Sequence, residues 1–177
     1  MAPFSLTWGQ NTEDALQVLG AVPIDRGPDG LAYELDTLIA RLASQGSFCP
    51  SLFLEHRDDI EGQLHLAFRD QALVGVEIRF RYGFEAIGKS PDGLSDLSMA
   101  AYARFELQQL LFELTARYGP PVHKGENAMR WGHAHPVGTV LFRTAEQDTL
   151  MVMLGHDGSG LVGQLRYLPE VGKTDGF

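Results

Sequence analysis

A chain of 177 residues, 44% hydrophobic and 21% charged, is long enough for one domain with a core of its own or for two small lobes. Its net charge of −9 argues against nucleic acid as a direct partner, since phosphate binding needs clustered Lys and Arg, and against binding to an anionic membrane surface. The same charge suits a basic protein partner, or solubility alone.

No apolar run approaches the ~20 residues that a membrane-spanning helix needs. The opening MAPFSLTWGQ lacks the basic and apolar regions of a signal peptide. Cys49 stands alone, so no disulfide forms within the chain. A reducing cytoplasm is the expected compartment.

Phe4, Leu6 and Trp8 alternate with Ser5 and Thr7, which predicts a short strand ending at Trp8-Gly9. Asn11 or Thr12 caps a short helix with Glu13 and Asp14 in its first turn. Ala15, Leu16, Val18 and Leu19 give that helix an apolar face, and Gly20 closes it. Gly27-Pro28-Asp29-Gly30 is a turn. Leu31, Tyr33 and Leu35 alternate like a strand, whereas Leu35, Leu38, Ile39 and Leu42 follow helical spacing. The balance favours a helix from about Asp36 to Ser44, stopped by Gly46, and then a strand from Ser51 to His56.

The clearest β signal follows. Leu64, Leu66 and Phe68 face one way, Asp70-Gln71 turns the chain, and Val74, Val76, Ile78, Phe80 and Tyr82 alternate with Gly75, Glu77, Arg79 and Arg81. This is a hairpin with one wet face, the antiparallel habit. Gly83 to Asp96 is a loop.

Ser98 to Pro121 predicts a long amphipathic helix around which the fold is organised. Ser98 is the expected N-cap, Gly119 the C′ residue, and Pro120-Pro121 forbid continuation. Met99, Ala103, Leu107, Leu110, Leu111, Leu114 and Tyr118 share one stripe. Phe105 and Phe112 lie on the far side, with Glu106, Gln109 and Glu113 along one flank and Arg104 and Gln108 along the other. The Phe pair either tucks under a loop of the same chain or forms a partner or dimer surface.

Beyond the helix, Met129 to Gly132 predicts a short strand. Val137 to Arg143 and Leu150 to Leu154 form a second hairpin around Ala145 to Asp148. Leu150 to Leu154 is apolar at every position, as in a central strand covered on both faces. Asp157 to Gly160 turns into a last strand, Leu161 to Leu168.

The expected fold is α+β. An antiparallel sheet of two hairpins plus flanking strands packs on one long amphipathic helix, with one or two shorter helices. Residues 1–168 form one domain, with two loosely similar halves at about 1–90 and 91–168, and 169–177 form a flexible tail. Each half has a helix closed by Gly, then prolines and a hairpin, but their spacings do not match.

Trp8-Gly9-Gln10-Asn11-Thr12, with the short helix to Leu19-Gly20 and on to Pro23, resembles the start of small bacterial α/β domains of the outer-membrane-assembly lipoprotein type. The resemblance covers about the first 25 residues, and the lipobox cysteine of that family has no counterpart. Its function is not carried over.

Gly83-Phe84-Glu85-Ala86-Ile87-Gly88-Lys89-Ser90 matches the P-loop pattern letter for letter. Lys89 would reach the terminal phosphates and Ser90 would hold magnesium. Against this, Pro91-Asp92-Gly93 makes a turn where a helix should start, and Glu85 puts negative charge in the phosphate cradle. The preceding strand alternates, unlike a buried parallel one. His133 and His135 could place two imidazoles on one strand face as metal ligands, but Gly132 and Pro136 suggest a turn. Cys49 reads as a packed small side chain, and Ser159 lacks the spacing of a hydrolase elbow. Asp58, Asp59 and Glu61 read as a solvated turn.

No catalytic constellation survives, and no cofactor is expected. The function expected is binding of another protein, in its concrete version as an immunity or adaptor protein for a basic partner such as a toxin domain, through Phe105, Phe112, Glu106 and Glu113. A homodimer through the same face is the nearest variant. The alternative is a nucleotide-binding protein or enzyme using Gly83, Gly88, Lys89 and Ser90, or a metal-dependent enzyme using His133 and His135.

Overall fold

The computed structural model describes residues 2–35, 38, 60–83, 96–125, 135–144, 148–157 and 160–170. In chain order the elements are α1 (Thr12–Leu19), β1 (Asp25–Arg26), β2 (Gly30–Glu34), β3 (Glu61–Arg69), β4 (Ala72–Gly83), α2 (Asp96–Tyr118), β5 (His123–Gly125), β6 (His135–Arg143), β7 (Thr149–His156) and β8 (Gly160–Leu168). The eight strands form one sheet in the order β1-β2-β3-β4-β8-β7-β6-β5, antiparallel throughout. The chain meanders from one edge to the middle, passes through α2, and meanders again from the far edge. The two meanders meet at β4 and β8.

The two halves run in the same order. Each helix ends on a left-handed glycine whose N–H reaches back four residues: Gly20 (φ 62) to Leu16 O at 3.0 Å, and Gly119 (φ 83) to Thr115 O at 2.9 Å. Ile24 N then donates to Ala32 O, and Val122 N to Leu141 O, both at 2.8 Å. Those bonds dock β1 on β2 and β5 on β6 in the same register, which aligns Tyr33 with Phe142. Both rings are fully buried.

One apolar layer holds the fold. α2 buries Met99, Ala103, Leu107, Leu110 and Leu114, the expected stripe, while Leu111 and Tyr118 are partly buried. The Tyr118 ring sits 6.5 Å from that of Phe142. α1 contributes Ala15 and Leu19 to the same layer. From the sheet come Leu64, Leu66, Val76, Ile78, Phe80, Val152, Leu154, Leu161 and Leu165, among others. Phe80 lies across Gly163, where a Cβ would stand 2.2 Å from Phe80 Cζ. At the β3–β4 turn, Asp70 and Gln71 both take positive φ (50 and 65), as a two-residue hairpin turn requires.

Phe4 to Trp8 is not a strand. Phe4 and Ser5 take left-handed φ values of 64 and 62 inside a 3₁₀ turn at Pro3–Ser5. The alternation instead reflects Phe4 and Leu6 pointing into the core. Trp8 Nε1 donates to Asp148 Oδ2 at 2.9 Å, which fastens the N-terminal segment to the β6–β7 turn. Glu170 N reaches the other oxygen of that buried carboxylate at 3.3 Å.

α2 starts at Asp96, two residues before the expected cap Ser98. β1 and β5 were not expected, because two or three polar residues carry no alternation. Of the expected helix 36–44 only Leu38 is described, helical and fully buried; the expected strands 51–56 and 129–132, the interior of the expected loop 83–96 and all but the first two residues of the expected tail 169–177 lie outside the described residues.

Candidate functional site

Two surfaces carry side chains that packing does not account for. The first is the outer face of α2. Phe105 is 53% exposed and Phe112 77%, two turns apart on the face opposite the buried stripe. Ala101, Gln108, Gln109 and Ala116 are exposed around them. Glu106 and Glu113 line one flank and Arg104 the other. Tyr102 packs at 6.3 Å from Phe105 and hydrogen-bonds Glu106. Burial, reinforced by that carboxylate, pushes the phenol up to about 12. The anionic flank is thus a placed feature of the helix.

The second surface is the sheet face that carries no described helix. Strand register sets its side chains in rows. One row runs Asp25, Ala32, His65, Glu77, Arg166, Met151, Leu141, His123 across all eight strands. Next to it run Glu34, Gln63, Arg79, Gln164, Met153 and Thr139, and then Glu61, Arg81, Val162 and Gly155. The first-half end of these rows is charged and the second-half end is largely apolar.

Glu77 is the hub. It is only 9% exposed, yet it is a carboxylate. Arg79 Nε donates to its Oε1 at 2.6 Å, Gln164 Nε2 donates to the same oxygen, and Arg166 Nε stands 4.0 Å from Oε2. A buried carboxylate needs such partners to offset its lost hydration. His65 Nε2 donates to Gln63 Oε1 at 2.9 Å. Burial, helped by Arg79 and opposed in part by Glu77 and Asp25, holds the imidazole below its ordinary 6.5. Arg81 Nε donates to Asp157 Oδ2 at 2.7 Å.

Between the last two rows lies a depression of about 570 Å³ lined by Glu61, Gly62, Gln63, Arg79, Phe80, Arg81, Val162, Gly163 and Gln164. Its floor is the backbone of Gly62, Phe80 and Gly163. Its walls are the polar side chains on either side. None of this network was expected as a site. Glu77, Arg79 and Arg81 were visible only as a wet strand face, and Gln164, which donates to Glu77, is 87 residues away from it.

Of the P-loop-like segment, Gly83 closes β4, while Gly88, Lys89 and Ser90 lie outside the described residues. β4 pairs antiparallel with both neighbours, which is not the parallel setting of a P-loop. His135 opens β6 opposite His156, and His133 lies outside the described residues. Among the described residues no group of three or more His, Cys, Asp or Glu could hold a metal ion. No described helix is long and apolar enough to cross a membrane. No protein-family model, curated protein or solved structure matches the chain.

Proposed function

We propose that the protein works by binding another protein through the outer face of α2. The observation that carries this reading is the exposure of Phe105 and Phe112 beside Glu106 and Glu113. Two aromatic side chains facing water two turns apart are the usual anchors of a protein interface. The carboxylate flank and the net charge of −9 select a basic partner by complementarity and by steering. An immunity or adaptor role, in which this acidic chain covers a basic domain, is the concrete form of the proposal.

Pull-downs from the source cells test it with three baits: wild type, the double variant Phe105→Ser/Phe112→Ser, and Glu106→Gln/Glu113→Gln. The reading expects one partner of high isoelectric point that wild type retains and the Phe variant loses. It expects the Glu variant to weaken capture mainly at low salt. Equal capture by all three baits would overturn it. A halved solution mass for the Phe variant, with no other protein retained, would assign the face to a second copy of the chain.

A further inference from the structure

We infer that the segment of the partner seated on the outer face of α2 is itself an α-helix of about four turns, apolar along one stripe and cationic where it meets Glu106. The inference rests on the proposed function and names the chemistry of its partner. The first argument is backbone satisfaction. Within an α-helix each N–H and C=O is committed to a bond four residues along, so the outer face of α2 offers side chains only. An extended segment laid there would find no strand edge to pair with. Its own N–H and C=O groups would stand unpaired against the Phe105 and Phe112 rings. A helix satisfies its backbone internally and brings only side chains to the contact.

The relief of the face fits the same occupant. Ala101, Phe105, Phe112 and Ala116 are all exposed and fall within one stripe about 60° wide. Each ring has a small residue one turn outward of it, Ala101 before Phe105 and Ala116 after Phe112. The rings stand ~10.5 Å apart along the axis, and the stripe is ~22 Å long. Two rings as knobs, with alanines as the gaps beyond them, make a surface that a second helix at a shallow crossing angle fills with its own side chains. Gln108 and Gln109 are exposed between the rings, so the middle of the opposing stripe is polar.

Charge sets the flank. Glu106 is held by a neutral group, the Tyr102 phenol, so its negative charge is not cancelled there. Glu113 lies two turns on along the same flank, with Arg117 one turn beyond it and Arg104 on the opposite flank. A cation opposite Glu106 is therefore the electrostatic selection this face makes. A second copy packed antiparallel would set the Glu106–Glu113 flank against itself, which repels.

Three synthetic peptides of about 15 residues, titrated into the full chain and followed by NMR of its α2 amide signals, test the inference. The first is an Ala/Leu amphipathic helix with Gln in the middle of its apolar stripe and lysines on one flank. The second has Pro in place of its two central alanines, which breaks the helix. The third carries Glu in place of Lys. The first is expected to move the Phe105, Glu106 and Phe112 signals along a saturating curve, at least tenfold more tightly than either other. Phe105→Ser/Phe112→Ser should abolish that curve, and Glu106→Gln should weaken it about threefold at low salt. Equal binding of the Pro peptide, or no saturable binding of any peptide, would overturn the helical occupant. Equal binding of the Glu peptide would overturn its cationic flank. Signals of α2 that shift with the concentration of the chain alone would overturn the assignment in favour of a second copy. Ring-dependent capture in the pull-down, with no preference for the helical peptide, would remove this inference and leave the proposed function standing. Helix-selective binding without ring-dependent capture would do the reverse.

Discussion

The two halves of the sheet share a layout and differ in what they display. In each, a helix ending on a left-handed glycine precedes four antiparallel strands, and an aromatic ring at the matching place, Tyr33 or Phe142, is fully buried. The helix of the first half has eight residues and that of the second has 23. Eight residues make about two turns, enough for one buried stripe. The longer helix has a complete second face, and there Phe105 and Phe112 stand exposed. On the sheet face that carries no described helix the contrast reverses. The first half contributes His65, Glu77 and Arg79, where the second contributes Met151, Arg166 and Met153 at its end of the rows. Shared architecture thus builds the scaffold, and the exposed aromatic face and the charged network lie in what each half has alone.

The largest test of the shared scaffold is truncation of the matched rings. Tyr33→Ala and Phe142→Ala should each cost about 3–5 kcal/mol in chemical denaturation, because each leaves a large cavity in one continuous core. If one were tolerated and the other not, the halves would not be carrying equal parts of the core.

A second test strikes the seam where the halves meet. Gly163→Ala forces a Cβ against Phe80, at 2.2 Å before relaxation, and should cost about 1–3 kcal/mol. Gly27→Ala, with nothing within 4 Å of its Cβ, should be far milder. Trp8→Phe removes the indole donor to buried Asp148 and should cost about 1.5–3 kcal/mol by thermal or urea unfolding. An unchanged midpoint would show that the N-terminal segment does not fasten the second half.

The outer face of α2 should behave oppositely. Phe112→Ser should change stability by less than about 0.5 kcal/mol, since an exposed ring gives up little on removal. Tyr102 adds a pH signature confined to this helix. Its folded pKa is raised from 10.0 to about 12, so the protonated phenol is favoured in the folded chain. That contribution is full below pH 10 and is lost as pH rises through about 12. Burial also raises the phenols of Tyr33 and Tyr118, so ultraviolet titration should show a late-ionising set that loses one tyrosine in Tyr102→Phe.

Much of this plan was legible in the sequence for identifiable reasons. The stripe from Met99 to Leu114 and the cap at Gly119 are local patterns, and local physics decided them. The β3–β4 hairpin followed from strict alternation around Asp70-Gln71. Two kinds of feature were not legible. β1 and β5 are too short to show a period and exist only because a neighbouring strand offers its edge. The similarity of the halves was legible only loosely, because their connections have unequal lengths: three residues separate β1 from β2, but nine separate β5 from β6. The Phe105–Phe112 face was readable as apolar, and its exposure required the fold. The Glu77 network joins β3, β4 and β8, and no spacing in the chain announces that β4 and β8 are neighbours.

Native mass spectrometry of the protein purified gently from its source tests the central claim most directly, run on wild type and on Phe105→Ser/Phe112→Ser in parallel. The account predicts a wild-type complex with one basic protein and an uncomplexed chain for the variant. A wild-type chain that flies alone under conditions preserving other complexes, or a complex that survives both substitutions, would contradict it.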